Sequence, residues 1–271
     1  MSRINWTDDK LLSRLIHNKS DRSRWDTIHV LRKRPSEELL GKCLEFTKSS
    51  DPKIRSIGID ILAQLGLSPR PFLNETLTCY FDLLTTEKNP EVLLSLLYGI
   101  GHNNDNLDKV QIEKICSFCN SDNKLIKEGL VSALGFIDDI QVIDILIKLS
   151  DDQSTPIRNW ATFYIGQGER NTKTIREALW KRIGDKHQET KLEAIAGLAK
   201  RKDKRVNEVI KREMIKGEFG TLLFEAIIAT KNQEFLPLLQ QNLKSIKEDQ
   251  TINPEWEKDL ENCIVELEKL K

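Results

Sequence analysis

Few residues of this chain have the type and spacing for chemistry, and each such group has a simpler use. Cys116 and Cys119 form a single C-x-x-C, half of what a structural zinc ion requires, and no second pair stands beside it. They fall among Ile112, Ile115 and Phe118 on an amphipathic stretch, the setting of core thiols. His17, His29, His102 and His187 are too dispersed to build a metal triad or a catalytic dyad by local spacing. Asp138-Asp139 and Asp151-Asp152 have the paired carboxylates of general acid–base work, but both pairs fall at turns, where helix capping uses them. There is no glycine-rich phosphate loop, no G-x-S-x-G and no H-E-x-x-H. The sequence therefore predicts no catalytic, cofactor-binding or metal-binding residue, no cofactor and no enzyme.

One group has the chemistry of recognition instead. Trp160, Phe163, Tyr164 and Gln167 recur at helical spacing on one side of a helix. Exposed on a groove, such aromatics anchor a partner, and truncating one costs about 2 kcal/mol or more of binding. Packed between helices they are core, and the sequence leaves both readings open.

The elements that must position these residues repeat. Ile54, Val92, Ile126, Ile157, Thr190 and Leu222 each begin a similar pattern, at intervals of about 31 to 38 residues, the signature of a solenoid. Counting from each anchor, offsets 0, 4 and 8 form one buried stripe, as in Ile157, Ala161 and Ile165. Offset nine is small (Ala63, Gly101, Gly135, Gly166, Ala199), which suits a left-handed cap or close contact with a neighbouring helix. Offset 3 (Ile57, Ser95, Gly129, Trp160, Glu193, Glu225) and offset 6 (Asp60, Tyr98, Ser132, Phe163, Ala196, Ile228) fall away from the buried stripe. Tyr98, Trp160, Phe163, Gln167 and Glu193 are thus the candidate partner-binding residues.

Five residues before several anchors stands an acid: Glu87, Asp152, Asp185 and, more loosely placed, Asp51 and Asp122. Such an acid can cap the second helix of its hairpin and meet the Arg or Lys that follows an anchor, in its own repeat or the next. Arg55, Lys127, Arg158 and Lys191 are those bases, while Leu93 and Leu223 stand where two others belong and predict gaps.

This pattern resembles HEAT repeats. The run IRNWATFYIG from Ile157 to Gly166, the run Ala194 to Ala199, and DPKIRSIGIDILAQLG at 51–66 are similar to bacterial HEAT-repeat proteins with phycobilin-lyase-like repeats. The resemblance covers roughly residues 20–240. It implies an all-α, right-handed α-solenoid of about seven helical hairpins, with second helices lining a concave side. It also implies an inter-repeat polar ladder through Asp152 with Arg158 and Asp185 with Lys191. The expected organisation is one domain over 1–271, with an N-terminal cap helix in 1–20, repeats over 21–247 and a cap helix over 254–271. The polar run KEDQTIN at 247–253 is expected to be flexible.

Acids and bases balance at 42 each, whereas a general binder of nucleic acid or acidic membranes is normally basic. Local excesses of Lys and Arg occur in 1–34 and 170–216. Five scattered cysteines, an odd number, suit a reducing compartment. The polar start and the lack of a bilayer-length apolar run predict a cytoplasmic protein without membrane contact. The function expected is a non-catalytic, monomeric adaptor holding a protein or peptide in a concave groove, in the manner of an immunity protein or assembly factor. The alternative is DNA binding through 170–216, as the likeness of some HEAT-like proteins to alkylpurine DNA glycosylases implies; a bilin-lyase role has no residue-level support.

Overall fold

The computed structural model describes residues 3–18, 20–66, 68–217, 219–246 and 253–270, and no strand occurs among them. The helices group into two compact units, Met1–Ile137 and Asp138–Lys271. The first unit holds α1 (Asp8–His17), α2 (Asp21–Arg32), α3 (Glu37–Phe46), α4 (Pro52–Leu62), α5 (Leu73–Thr86), α6 (Pro90–Gly101), α7 (Lys109–Cys116) and α8 (Lys124–Ala133). The second holds α9 (Ile140–Leu149), α10 (Thr155–Gln167), α11 (Lys173–Arg182), α12 (Gln188–Lys200), α13 (Val206–Lys216), α14 (Thr221–Thr230), α15 (Leu236–Ile246) and α16 (Pro254–Glu268).

Local chemistry sets where many of these helices begin. Pro52, Pro90 and Pro254 occupy first-turn positions, where a missing N–H costs nothing. Asp51, Asn89 and Asn253 precede them as caps, accepting from Lys53, Glu91 and Glu255 at 2.8, 3.0 and 2.9 Å. α4 stops at Leu62. Gly66, which follows, takes a φ of 80°, a conformation that suits glycine.

The chain folds as consecutive helix pairs, and the second helix of each pair packs on the second helices around it. Within the first unit α4 packs on α6 and α6 on α8; within the second, α10, α12, α14 and α16 follow one another. A helix covered by its own partner and by neighbours cannot keep a wide polar face, and every residue from Ser56 to Leu62 of α4 is buried. First helices bury a narrower stripe, such as Leu39, Leu40 and Cys43 of α3.

Small residues at offset nine, joined by Gly197 at offset seven, set the spacing between second helices. A Cβ on Gly101 of α6 would stand 2.6 Å from the Ser132 carbonyl oxygen of α8. One on Gly197 of α12 would stand 2.7 Å from the Gly166 Cα of α10. Neither backbone can move aside cheaply, so close approach, not a left-handed cap, explains these glycines.

At the two ends α1 packs with α2 and α15 with α16. Trp256 of α16 donates to the Phe219 carbonyl at 2.5 Å and joins Phe219 and Phe224 in an aromatic cluster. Of the run 247–253, residues 247–252 lie outside the described residues.

Candidate functional site

Two rungs of the polar ladder among the described residues share one plan. Arg55 donates to Glu87 through Nε at 2.7 Å and Nη2 at 3.1 Å. Arg158 donates to Asp185 in the same two-pronged way, at 2.7 and 3.0 Å. In both, Nη1 turns back to two carbonyls ahead of its own helix: Ser49 and Ser50 for Arg55, Asp152 and Gln153 for Arg158. Burial opposes the charge on Glu87 and Asp185. The paired arginines and backbone N–H groups outweigh it and hold both carboxyls below the usual range.

Three expectations about this ladder need correction. The acid is not the helix cap: Glu87, Asp152 and Asp185 accept from Asn89, Ser154 and His187, the cap residues two positions on, at 2.8, 2.8 and 3.0 Å. Ser49 and Ser121 hold the same place ahead of Asp51 and Asn123, so Asp51 is a cap and Asp122 is not the acid's counterpart. Lys191 pairs with Glu213 at 3.6 Å, not with Asp185, which is taken by Arg158 and Arg182. The base reaches forward to the next repeat, and because Gly217 stands where the next acid belongs, Glu213 supplies the carboxylate. Where Leu93 replaces the base, the following position is the uncharged Ser121.

The recognition group lies on α10. The Trp160, Phe163 and Tyr164 rings touch one another with centroids 5.3 to 5.8 Å apart. Trp160 is 49% exposed and the other two are half-buried. Tyr98, on α6 of the first unit, is exposed to 37%. Offsets 3 and 6 do not form a continuous open strip, however: Ile57, Asp60, Gly129, Glu193 and Ala196 are buried. Glu193, expected on the open groove, is 6% exposed, because α12 is enclosed by α10 and α14 and approaches α10 at the Gly166–Gly197 contact.

Glu193 is an unusual carboxylate. Burial pushes it up to about 7; the half-buried Gln167 amide of α10 opposes the rise, while Glu189 and Glu225 add to it. Its Oε2 is buried with no hydrogen-bond partner. The first unit holds a carboxylate on the corresponding helix face that the sequence reading overlooked as a site. Asp60 of α4 is also buried, and burial pushes it up, but Arg24 of α2 bonds to it and, with Ser95 of α6, opposes the rise. Arg32 donates to the Asp60 carbonyl at 3.0 and 2.6 Å, and Arg24 and Arg32 lie over the Trp25 ring at 5.5 and 5.4 Å. The available signal was an Asp inside the apolar run IGIDIL.

Other candidates offer less. Cys116 is buried and Cys119 half-buried, on either side of a helix break where a 3-10 turn, Ser117–Asn120, follows α7. Among the described residues no group of three His, Cys, Asp or Glu is arranged to hold a metal. An open cleft of about 850 Å³ lies along α3 and α5, lined by Leu44, Thr47, Thr78, Cys79, Asp82 and Leu83. Burial pushes the Cys79 thiol up, which disfavours a thiolate there.

The basic segment 170–216 is largely engaged inside the fold. Arg170 pairs with Asp138, Arg176 and Arg205 with Asp203, and Lys181 and Arg182 with Asp151. Arg201 is buried and donates to the carbonyls of Ile165, Gly166, Gly168, Arg170 and Gly197, closing the ends of α10 and α12. Among the described residues, no helix is long and apolar enough to cross a membrane.

With this geometry in place, similarity to known proteins can be stated. Protein YibA of Escherichia coli K12 is 27% identical over 256 residues, covering 90% of this chain and 88% of that protein, and YibA of strain O157:H7 matches equally. The chain is a homologue of YibA. The X-ray structure of E. coli YibA superposes with a TM-score of 0.73 at 22% identity, covering 98% of this chain and 94% of the other. The shared fold is a HEAT-like array of sequentially packed helix pairs. No family model matches the chain.

Proposed function

We propose that this YibA homologue is a non-catalytic binding module that holds one protein or peptide partner on the α10 face of its second unit. The observation that carries this reading is Trp160, a large aromatic left half exposed on a cluster with Phe163 and Tyr164. A rigid aromatic supported from behind by other rings offers contact area at little entropic cost, the character of an interface anchor. A nucleic-acid role through 170–216 draws less support, because carboxylates and backbone carbonyls already take up most of that segment's cations.

Affinity capture of the tagged protein from its native lysate, with and without nuclease, tests the reading. A stoichiometric protein that survives nuclease and is lost with Trp160→Ala is the expected result. Recovery of nucleic acid alone, abolished by salt, would overturn it.

A further inference from the structure

The α10 aromatic cluster adjoins negative charge that the chain leaves uncompensated. Trp160 of α10, Glu193 of α12 and Glu225 of α14 hold the same offset on three successively packed helices, and Gln167 lies one turn beyond Phe163 and Tyr164 on α10. Glu193 is more than nine-tenths buried with Oε2 unpartnered, and it feels the charges of Glu189, one turn away on α12, and Glu225 of α14. Glu189 and Glu225 are exposed. Among the described residues, no Lys, Arg or His pairs with any of these three acids. The nearby bases are used elsewhere: Lys191 on Glu213, Lys200 on Glu169 and the Gln167 carbonyl, Arg182 on Asp151 and Asp185.

The first unit shows how this fold completes such an arrangement. There the buried carboxylate is Asp60, the aromatic is Trp25, and a guanidinium from the chain itself, Arg24, lies over the ring and bonds to the carboxylate. The second unit repeats this device at Trp180, where Arg205 lies over the ring and bonds to the buried Asp203, but beside Trp160 it has the buried Glu193 and two further acids without a cation. A buried carboxylate without a partner is costly, and an opposite charge beside a desolvated aromatic face is the chemistry that relieves it.

We infer that the face formed by Trp160, Phe163 and Tyr164 of α10, Glu189 and Glu193 of α12 and Glu225 of α14 receives a basic side chain, an arginine or lysine, from an extended segment of the bound partner. This rests on the binding-module reading and names the chemistry of its partner. The cation sits against the Trp160 ring on the side toward α12, in the field of Glu189 and Glu193, with Glu225 of α14 adding to that field. From there it offsets the Glu193 charge through the poorly solvated helix face, whether or not it bonds Oε2 directly.

The test is fluorescence anisotropy of a labelled octapeptide of alternating glycine and arginine, with lysine and neutral citrulline versions as further arms. The arginine or the lysine peptide should bind and the citrulline peptide should not. Glu193→Gln should weaken binding about tenfold, with Glu225→Gln and Trp160→Ala acting in the same direction. Glu37→Gln on exposed α3 removes the same charge elsewhere and should leave affinity unchanged. Glu193→Gln removes charge without removing packing, so its fold is expected to be intact, and a thermal melt checks each variant. Equal binding of the citrulline peptide, or an equal loss with Glu37→Gln, would overturn the proposal. So would a captured lysate partner that is lost with Trp160→Ala yet indifferent to Glu193→Gln, while the docking face itself would stand. Failure of every peptide together with no capture would sink both.

Discussion

Asp60 and Glu193 are the same kind of residue in the same kind of place, a buried carboxylate on a second helix, and the chain treats them oppositely. In the first unit Arg24 bonds to Asp60, with Trp25 packed against the arginine. In the second, no cation pairs with Glu193, and two more acids stand near. The lesson is that burial alone does not say what a charged residue is for. Burial raises both carboxyls, and a cation within the fold offsets part of that cost at Asp60, whereas at Glu193, beside exposed aromatics, no cation does so.

The comparison breaks or sharpens most readily at Arg24. Arg24→Ala strands Asp60 without its cation and should cost about 3 kcal/mol of stability in urea denaturation, the scale for removing one partner of a buried pair. A loss near zero would mean that Asp60 is no better compensated than Glu193.

The opposite sign is expected at Glu193. Its folded carboxyl is raised to about 7 from an ordinary 4.5, so between those values the folded protein holds a proton that the unfolded chain has released. Stability is therefore greatest below pH 4.5 on this account and falls as pH rises through 7. Glu193→Gln removes that dependence and should stabilise the protein by up to about 3 kcal/mol at pH 8, with little difference at pH 4. Paired melts of the two proteins across that range measure it, and a destabilised variant at pH 8 would contradict the uncompensated charge.

Two smaller effects show whether the difference is confined to the charges. Gly101→Ala in the first unit and Gly197→Ala in the second each force a Cβ onto neighbouring backbone and should cost similar amounts, about 2 kcal/mol. Unequal costs would place part of the contrast in packing. Lys191→Ala should cost about 1 kcal/mol or less, because Glu213 keeps Lys216 at 2.7 Å. A larger loss would show the substitute acid to be as important as Asp185 is to Arg158.

Much of the fold was legible because the cues are local. The anchors, the small residues at offset nine and Pro52, Pro90 and Pro254 locate second helices or their beginnings, and the Trp160 group was recognisable by helical spacing. The ladder was legible only in part: its residue types were visible, but the acid was mistaken for the cap it precedes, and the Lys191 partner was misplaced because Glu213 comes from a first helix. Glu193 was expected in the open and is buried.

The sequence by itself determined the period, the helix type and the buried stripe, since these follow from spacing along one chain and from the 3.6-residue turn. Tertiary structure alone decided which face of each second helix remains open, where Asp60 finds Arg24, and that Glu193 finds no cation. Those outcomes depend on how closely neighbouring helices approach and which distant side chains meet there, distances that no local spacing encodes.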